Sequence, residues 1–435
     1  MSRSGPGARG MTDPAAPRLL ILASAHTYRL EPFLRAARKL GVVPVLGVDV
    51  PPAHARSTEA TLGLDFRDVE RSIAQAQGYA MRHRLQAVIP TDDAAVALAA
   101  HLSEALDLPH NSIEAAEAAR DKHRMRQLFA QAGLPTPWFR LASSADDPTQ
   151  LAAQVKYPCV LKPTCLAGSR GVIRADDPGQ FVAAFARLTA ILVKAGLKDA
   201  LVEGYIPGIE VALEGLLTHG NLKVLALFDK PDPLEGPFFE ETIYVTPSRL
   251  APGTQAAIRT SAAAAARALG LREGPVHAEL RINNDGPWML EIAGRSIGGL
   301  CSQTLRFGTD LSLEELILRQ ALGVEIESLQ REGRAGGVMM IPIPSTAPSA
   351  SLRAGPAAGT LVGVGGLEAA QAVPGIESVE ITAKLNYPLV PLPEGDSYLG
   401  FIFARGETPD EVEAALRAAH RELRFEIVPE LPIAP

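Results

Sequence analysis

The chain has 435 residues, of which 47% are hydrophobic and 21% charged, and its formal net charge is −7 at pH 7. This length suits two or three domains, each with its own apolar core. The net negative charge excludes a broad basic field, so we expect small-molecule partners and neither nucleic acid nor a membrane surface. The longest apolar stretches, such as Val42 to Val50, are too short to span a bilayer.

The N-terminus and the cysteines indicate the compartment. Residues 1–17 are rich in Gly, Pro and Arg and lack the apolar core of a signal peptide, so they predict a disordered leader, with Met11 as an alternative start. Cys159, Cys165 and Cys301 form no C-x-x-C pair, and an odd number at these spacings suits neither a disulfide framework nor a zinc site. We therefore expect a reducing, cytoplasmic location.

The N-terminal part alternates apolar runs with helical patterns. Leu19 to Ser24 and Val42 to Val48 predict strands on either side of a helix from Leu30 to Leu40. The alternation continues and predicts a parallel α/β domain over residues 18–111. The turn Thr91-Asp92-Asp93 follows the third strand. These acids are either a helix N-cap with an acidic first turn or functional groups at the carboxyl end of a strand.

Lys162 lies in a predicted buried strand that leads into a glycine-containing loop, Thr164 to Gly171. Glycines let backbone N–H groups approach phosphate oxygens and a lysine supplies a positive charge, so the segment is a candidate phosphate site. The patterns G-x-x-x-x-G-K-[ST] and G-x-G-x-x-G occur nowhere in the chain, and an ordinary turn is the alternative. The cluster Gly363 to Gly366 lacks the required spacing and is interpreted as a β turn.

Glu203 and Glu210 flank a bend that contains Pro207 and Gly208. A bend at this point could direct both acids toward one cleft, where Glu210 would accept hydrogen bonds from ribose hydroxyls. A solvated turn with two acids is the alternative.

The segment Val276 to Ile292 predicts a β-hairpin with its turn at Asn283 to Pro287. If Ile282 pairs with Trp288, Glu279 faces Glu291 on the side away from the apolar residues, which are Val276, Ala278, Leu280, Leu290 and Ile292. Opposed carboxylates destabilise a sheet and raise each other's pKa unless a cation lies between them. Two hard oxygen ligands suit Mg²⁺. A solvent-facing pair of unpaired acids is the alternative.

Strand alternation places three basic side chains on that same face: His277, Arg281 and Arg295. Such a basic rim around a metal suits a bound anion. Arg295 follows the strand of Glu291 and could reach a substrate carboxylate or the charge that develops when it is activated. For His277 a hydrogen-bonded structural role is favoured over a functional one.

In this order, these segments resemble the ATP-grasp superfamily, and most closely its carboxylate–amine ligases of the L-amino acid (dipeptide) ligase type. The resemblance runs from about residue 18 to the C-terminus and implies an ATP-grasp fold, α/β overall with α+β grasp lobes. It divides the chain into a Rossmann-like pre-ATP-grasp domain (18–111), a two-lobed ATP-grasp domain (112–331, hinge near 203–208) and a β-rich C-terminal module (332–435).

The resemblance also implies ligands and site residues. ATP would contact Lys122, Lys162, Ser169, Glu203, Tyr205, Ile206 and Glu210. In this set the two lysines bind phosphates, the loop Thr164 to Gly171 is a flexible lid, backbone groups of Gly204 to Ile206 read adenine, Glu203 takes the adenine amino group and Glu210 the ribose. Glu279 and Glu291 would hold Mg²⁺, with Mn²⁺ as an alternative.

The resemblance also implies which residues are catalytic and which contact the substrates. Lys162 and Arg295 are the expected catalytic residues, and the expected substrate contacts are Glu241, Tyr244 and Arg295. Glu241 lies in Phe238-Phe239-Glu240-Glu241-Thr242, which resembles a substrate-facing segment of the family and could bind an amino group. Tyr244 stands where some relatives carry histidine, which leaves amino-acid selectivity open.

One departure concerns Ala293, because many family members carry an asparagine that ligates metal at this position. The segment from Glu291 to Arg295 nevertheless resembles the dipeptide-ligase branch more than the carboxylases. The number of bound metals stays open.

The implied reaction is the ATP-dependent joining of two L-amino acids through an acyl phosphate, with release of ADP and phosphate. Relatives suggest a homodimer, although no sequence feature shows an interface. An ATP-grasp enzyme that uses formate or bicarbonate with a nucleotide precursor is disfavoured, because no additional basic cluster is present for a phosphorylated substrate. A non-catalytic sensor of ATP or an amino acid is disfavoured because the two lysines and the two metal acids all remain.

Overall fold

The computed structural model describes residues 16–25, 27–50, 58, 60–344 and 359–429. The chain divides into two units, one of Met1–His110 with Glu314–Ile326 and one of Asn111–Leu313 with Glu327–Pro435. Almost all of the predicted leader lies outside the described residues. Within the described ranges, no helix has both the length and the apolar character that crossing a membrane requires.

The first unit contains the parallel α/β sheet that the sequence predicts. Its strands are β1 (Arg18–Ala23), β2 (Val43–Asp49), β3 (Thr61–Leu64) and β4 (Ala87–Pro90), and its helices are α1 (Leu30–Lys39), α2 (Val69–Ala80) and α3 (Asp93–Ala105). The order is β3-β2-β1-β4, with every neighbouring pair parallel. After Arg18, strand β1 is apolar because parallel strands are covered on both faces, and Leu19 to Leu22 are fully buried.

The acidic turn after β4 joins two strand ends. Asp92 occupies the N-cap position of α3 but makes no capping hydrogen bond. Its carboxylate instead accepts hydrogen bonds from the N–H and Oγ of Ser24, at 3.1 and 2.8 Å. The predicted N-cap position and the acidic first turn at Asp93 are confirmed, but the Asp92 carboxylate bonds the end of β1 rather than the first turn of the helix.

The second unit opens with a small antiparallel sheet and its helices. In chain order these are α4 (Ile113–Ala118), α5 (Lys122–Gln131), β5 (Phe139–Ser143), α6 (Pro148–Ala152), β6 (Cys159–Pro163), β7 (Ile173–Ala175), α7 (Pro178–Ala195) and β8 (Asp199–Gly204), with strand order β5-β8-β6-β7. Helices α4 and α5 follow each other closely but are separate. Asp121 separates them because its carboxylate caps α5, accepting from the N–H groups of His123 and Arg124.

An eight-stranded sheet forms most of the rest of the unit. The next elements in chain order are β9 (Ile209–Thr218), β10 (Asn221–Asp229), β11 (Ile243–Thr246), α8 (Pro252–Leu269), β12 (Gly274–Asn283), β13 (Gly286–Ala293), β14 (Arg306–Phe307), β15 (Leu311–Ser312), α9 (Leu313–Ala321) and β16 (Ala335–Ile341). Of these, α9 belongs to the first unit from Glu314 onward. They are followed by β17 (Gly359–Gly365), α10 (Leu367–Gln371), β18 (Ile376–Ile381), β19 (Pro388–Leu389), β20 (Gly400–Gly406), α11 (Pro409–Glu422) and β21 (Arg424–Pro429).

The order of this large sheet is β13-β12-β9-β10-β11-β16-β20-β18. Its last three strands lie beyond the predicted boundary at residue 332, so one sheet crosses that boundary. A separate sheet, β19-β17-β21, completes the C-terminal part. The β turn predicted at Gly363 to Gly366 is wrong, because Gly363 to Gly365 lie in β17 and only Gly366 leaves the strand, with φ +81° at the start of α10.

Helix α8 packs against the apolar face of the β12–β13 hairpin. Ala262, Ala265 and Ala266 are fully buried and pack with Val276 and Ile292. Small side chains let the helix approach the sheet closely. The opposite face of the hairpin is left for polar side chains.

Candidate active site

Glu279 and Glu291 face each other across β12 and β13, as predicted. Their side chains are 26% and 25% exposed. Two opposed carboxylates that solvent reaches form a set of hard oxygen donors that fits Mg²⁺. Each acid also has a cation beside it: Lys230 Nζ lies 3.7 Å from Glu279 Oε1, and Lys122 Nζ lies 3.0 Å from Glu291 Oε2. The metal role of the pair stays a prediction.

The register near the turn differs from the predicted one. Ile282 pairs with Pro287 rather than Trp288, which by itself would offset the two acids by one residue. A register shift leaves Leu290 without a partner, as in a β-bulge, and restores the opposition. The bulge also changes which side chain faces the core: Met289, 3% exposed, packs there in place of the predicted Leu290.

Lys122 connects β13 with the glycine loop. Its Nζ, besides contacting Glu291, donates to the carbonyl of Leu166 at 2.8 Å. Its main-chain N–H donates to the carbonyl of Thr164, also at 2.8 Å. Lys122 therefore bonds both the carboxylate of Glu291 and the main chain of the glycine loop.

A buried ion cluster links Lys162, Glu203 and Arg126. Lys162 Nζ lies 2.5 Å from Glu203 Oε1, and Arg126 Nε lies 2.6 Å from Oε2. Burial alone would raise the pKa of Glu203, but the charges of Arg126 and Lys162 outweigh it and lower the pKa to about 2. Glu203 was predicted to bind the amino group of adenine, but both of its carboxylate oxygens are already bonded to cations. Arg126 was not predicted; its spacing of four residues from Lys122, on the same helical face, is the signal that could have found it.

The bend between β8 and β9 is the predicted hinge. The N–H groups of Gly204 and Tyr205, expected to read adenine, donate to main-chain carbonyls at 2.9 and 3.1 Å. The carbonyl of Ile206 accepts from Arg281 Nη1 at 2.8 Å. Adenine recognition at this hinge stays a prediction, and these groups already have protein partners. The ring of Tyr205 stacks on Phe239.

Three acids surround a lysine that sequence reasoning missed. Lys230 Nζ donates to Glu210 Oε1 at 2.7 Å and to Glu241 Oε1, in addition to its contact with Glu279. Carboxylate oxygens of the three acids lie within 4.8 Å of one another. Burial alone would lower the pKa of Lys230, but the three acids outweigh it and raise the pKa. The hydroxyl of Tyr244 donates to Glu241 at 2.9 Å, so two of the three predicted substrate residues belong to this cluster.

Arg281 was predicted to belong to a basic rim around the metal, and this prediction is wrong. Its Nε donates to Glu210 Oε2 at 3.0 Å, and the residue is 3% exposed. With Nη1 on the Ile206 carbonyl, the guanidinium fastens β9 and the hinge to β12. Glu210, expected to bind ribose, thus has one oxygen on Lys230 and one on Arg281.

His277 and Arg295 remain beside the hairpin acids. His277 Nε2 lies 3.2 Å from Glu279 Oε1, and Nδ1 is hydrogen-bonded to the fully buried Glu214. Burial would lower the pKa of His277, but Glu214 outweighs it and raises the pKa to about 9. The favoured structural role of His277 agrees with this placement. Arg295 is 8% exposed and its Nη1 donates to the carbonyl of Ser296 at 2.8 Å.

The glycine loop, Thr164 to Gly171, connects β6 with β7. Gly168, Ser169 and Gly171 have φ values of +65°, +56° and +74°, so the loop repeatedly enters the left-handed region. The N–H of Gly171 donates to the carbonyl of Pro393, in the C-terminal part of the chain, at 2.8 Å. The role of Ser169 in ATP binding stays a prediction.

Comparison with known proteins agrees with this fold. Residues 155–304 match the ATP-grasp domain, and residues 354–428 match the L-amino acid ligase C-terminal domain 2. An L-amino acid ligase of Bacillus licheniformis has 26% sequence identity and a TM-score of 0.78, covering 94% of this chain and 98% of that one.

Two further relatives match about half of the chain. Dapdiamide A synthase of Enterobacter agglomerans is 29% identical over 53% of this chain, and alanine–anticapsin ligase of Bacillus subtilis (strain 168) is 27% identical over 53%. The alignments cover 54% and 53% of those two proteins, so this chain spans about half of their length.

The fold and the matched domain over residues 155–304 show the ATP-grasp fold. Its two matching domains and its full-length structural neighbour make the chain similar to the L-amino acid ligases.

Proposed function

We propose that this chain forms an amide bond between two L-amino acids or amino-acid-like substrates, using ATP and releasing ADP and phosphate. The observation that carries the proposal is the opposition of Glu279 and Glu291 with Lys122 between Glu291 and the glycine loop. The matched C-terminal domain and the names of the relatives support amino acids as substrates. A small-molecule ligase of this kind suits the cytoplasm predicted from the cysteines.

In the first step, a carboxylate oxygen of one substrate attacks the γ-phosphorus of ATP. A C–O–P linkage forms, the bond from the γ-phosphorus to ADP breaks, and an acyl phosphate results. Lys122 and Lys162 reduce the negative charge on the phosphate oxygens, and Glu279 and Glu291 would hold Mg²⁺, which supplies further charge neutralisation there. Positioning and electrostatics account for this step, because phosphoryl transfer needs little covalent help.

In the second step, the neutral amine of the other substrate attacks the acyl carbon. The C–N bond forms, the bond from the acyl carbon to the phosphate oxygen breaks, and the leaving inorganic phosphate takes up the proton that the amine loses. Arg295 would bind the reacting carboxylate group, and Glu241 an amino group. The loop Thr164 to Gly171 would exclude water, because hydrolysis of the acyl phosphate consumes ATP without forming product.

The first test is incubation of the protein with ATP, Mg²⁺ and a mixture of the twenty L-amino acids, followed by mass spectrometry. A dipeptide mass supports the proposal and identifies candidate substrates. ADP without peptide indicates a different acid or amine, and the absence of ADP supports a nucleotide or amino-acid sensor. Sedimentation of the same sample tests the homodimer that relatives suggest.

A second test replaces one metal acid. Glu291→Gln should abolish amide formation while the circular dichroism spectrum stays that of the wild type. Glu273→Gln is the matched control, because Glu273 is also partly exposed, at 27%, but contacts His219. A fully active Glu291→Gln protein would remove Glu291 from the site.

A further inference from the structure

Arg126 lies one turn after Lys122 on α5 and is 1% exposed. Its Nε and Nη2 donate to the two oxygens of Glu203, at 2.6 and 3.2 Å, a paired geometry that only a guanidinium offers. It also donates to two main-chain carbonyls of β13, from Nη1 to Met289 at 3.2 Å and from Nη2 to Leu290 at 3.0 Å. The side chain of Arg126 thus joins Glu203 to β13, the strand that carries Glu291.

The two carbonyls lie at the bulge. Leu290 is the extra residue of β13, without a Cα partner in β12. A bulge interrupts the ladder of main-chain hydrogen bonds, and buried carbonyls there need other donors. Arg126 is such a donor, and its charge makes the hydrogen bonds stronger than neutral ones.

The register of β13 determines where Glu291 points. A strand that slips by one residue turns every side chain to the other face. If β13 lost the bulge and kept its pairing at the turn, Glu291 would no longer lie opposite Glu279. The contacts that hold the bulge therefore hold the opposition of the two carboxylates.

We propose that Arg126 is a positioning residue, which fixes the bulge in β13 and thereby holds Glu291 opposite Glu279. The Nε and Nη2 groups of Arg126 also bind Glu203, which in turn pairs with Lys162. The inference rests on the proposed metal role of Glu279 and Glu291. Lysine cannot replace arginine here, because one ammonium nitrogen cannot reach both Glu203 and the two carbonyls in a planar fork.

The test measures Mn²⁺ binding to the full chain by electron paramagnetic resonance of the free ion, for Arg126→Lys and Arg126→Gln. Arg126→Lys keeps a charge beside Glu203, so the dissociation constant for metal-free ADP should change less than threefold. Its dissociation constant for Mn²⁺ should rise at least tenfold. Arg126→Gln should impair both. A folded Arg126→Lys protein that binds Mn²⁺ within twofold of the wild type overturns the proposal.

A matched control separates this role from general loss of stability. Arg405 is also buried, at 5% exposure, and pairs with Glu332 and Glu377, which lie outside the site. Arg405→Lys should lower the melting temperature but leave Mn²⁺ binding unchanged. If Arg126→Gln does not fold, Arg126→Lys carries the test.

Two outcomes distinguish this inference from the proposed function. If Glu279→Gln and Glu291→Gln each lose Mn²⁺ but Arg126→Lys does not, only the inference is wrong. If the wild type binds no Mn²⁺, the proposed metal site fails, and hydrogen exchange of residues 286–293 decides the inference. Arg126→Lys should then raise exchange in β13 at least tenfold, and unchanged exchange overturns it.

Discussion

Arg187 and Glu394 form a two-point ion pair, with Nε 2.5 Å from Oε1 and Nη2 2.8 Å from Oε2. Arg187 lies on α7, and Glu394 follows Pro393, whose carbonyl accepts from the N–H of Gly171. The guanidinium of Arg187 also lies over the ring of Phe238, 4.9 Å from its centroid. The C-terminal part of the chain is thereby fastened beside the glycine loop and the predicted substrate segment.

We expect Glu394→Ala to loosen this support. The glycine loop would then cover the acyl phosphate less completely, so more of it would react with water. The ratio of ADP to amide product should rise several-fold, and parallel assays of the two products measure it. Glu407→Gln is the control, because Glu407 pairs with Arg334 on the exposed surface. An unchanged ratio in Glu394→Ala would show that the ion pair does not act on the loop.

The three cysteines should differ strongly in their reactivity toward thiol reagents. Cys159 and Cys301 are 0% and 1% exposed, whereas Cys165, in the glycine loop, is partly exposed. Burial raises the pKa of Cys159 to about 12, so at pH 8 it is a neutral thiol and a poor nucleophile.

A thiol reagent at pH 8 should therefore label about one cysteine in the native protein and all of them after unfolding. ATP should slow the labelling if the loop closes over it. Cys165→Ser should remove the native reaction, and rapid labelling that persists in this variant would contradict the assignment.

Lys230→Met should be strongly destabilising, because it leaves Glu210, Glu241 and Glu279 without their shared cation. Removing one partner of a buried ion pair typically costs about 3–5 kcal/mol of unfolding free energy. Urea unfolding measures this loss. Adding Glu241→Gln to Lys230→Met should recover part of it, since one of the unpaired charges disappears. A double variant less stable than Lys230→Met would argue against repulsion among the acids.

Gly208→Ala should impair the hinge. Gly208 has φ +125°, and a Cβ there would lie 2.2 Å from the carbonyl oxygen of Ile282. Backbone strain of this kind costs about 1–3 kcal/mol, so both stability and ATP affinity should fall. Gly78→Ala is the contrasting variant, because Gly78 lies in α2 with open space around it and alanine should stabilise that helix by about 0.5–1 kcal/mol. Calorimetry on both proteins tests the difference in sign.

Sequence reasoning succeeded where the chemistry depends on neighbouring residues. The alternation of apolar and polar residues along two adjacent strands predicts the opposition of Glu279 and Glu291, and the structure has it. The bulge at Leu290 was not predicted. It compensates for the one-residue shift in pairing at the turn, so the two shifts together leave Glu279 opposite Glu291, as in the regular hairpin that the sequence predicts. Lys230 was missed for a similar reason: a lysine directly after a buried strand is common and does not indicate its partners.

The sequence by itself determined the order of the segments, the parallel α/β character of the first unit and the ATP-grasp fold, because these depend on local periodicity and on motifs in a fixed order. Only the tertiary structure decided that Arg126 bonds Glu203, 77 residues away, and Met289, 163 residues away. It likewise decided that Arg281 fastens the hinge rather than lining an anion site. Such pairings arise when distant segments fold together and buried charges must find partners, and no local pattern specifies them.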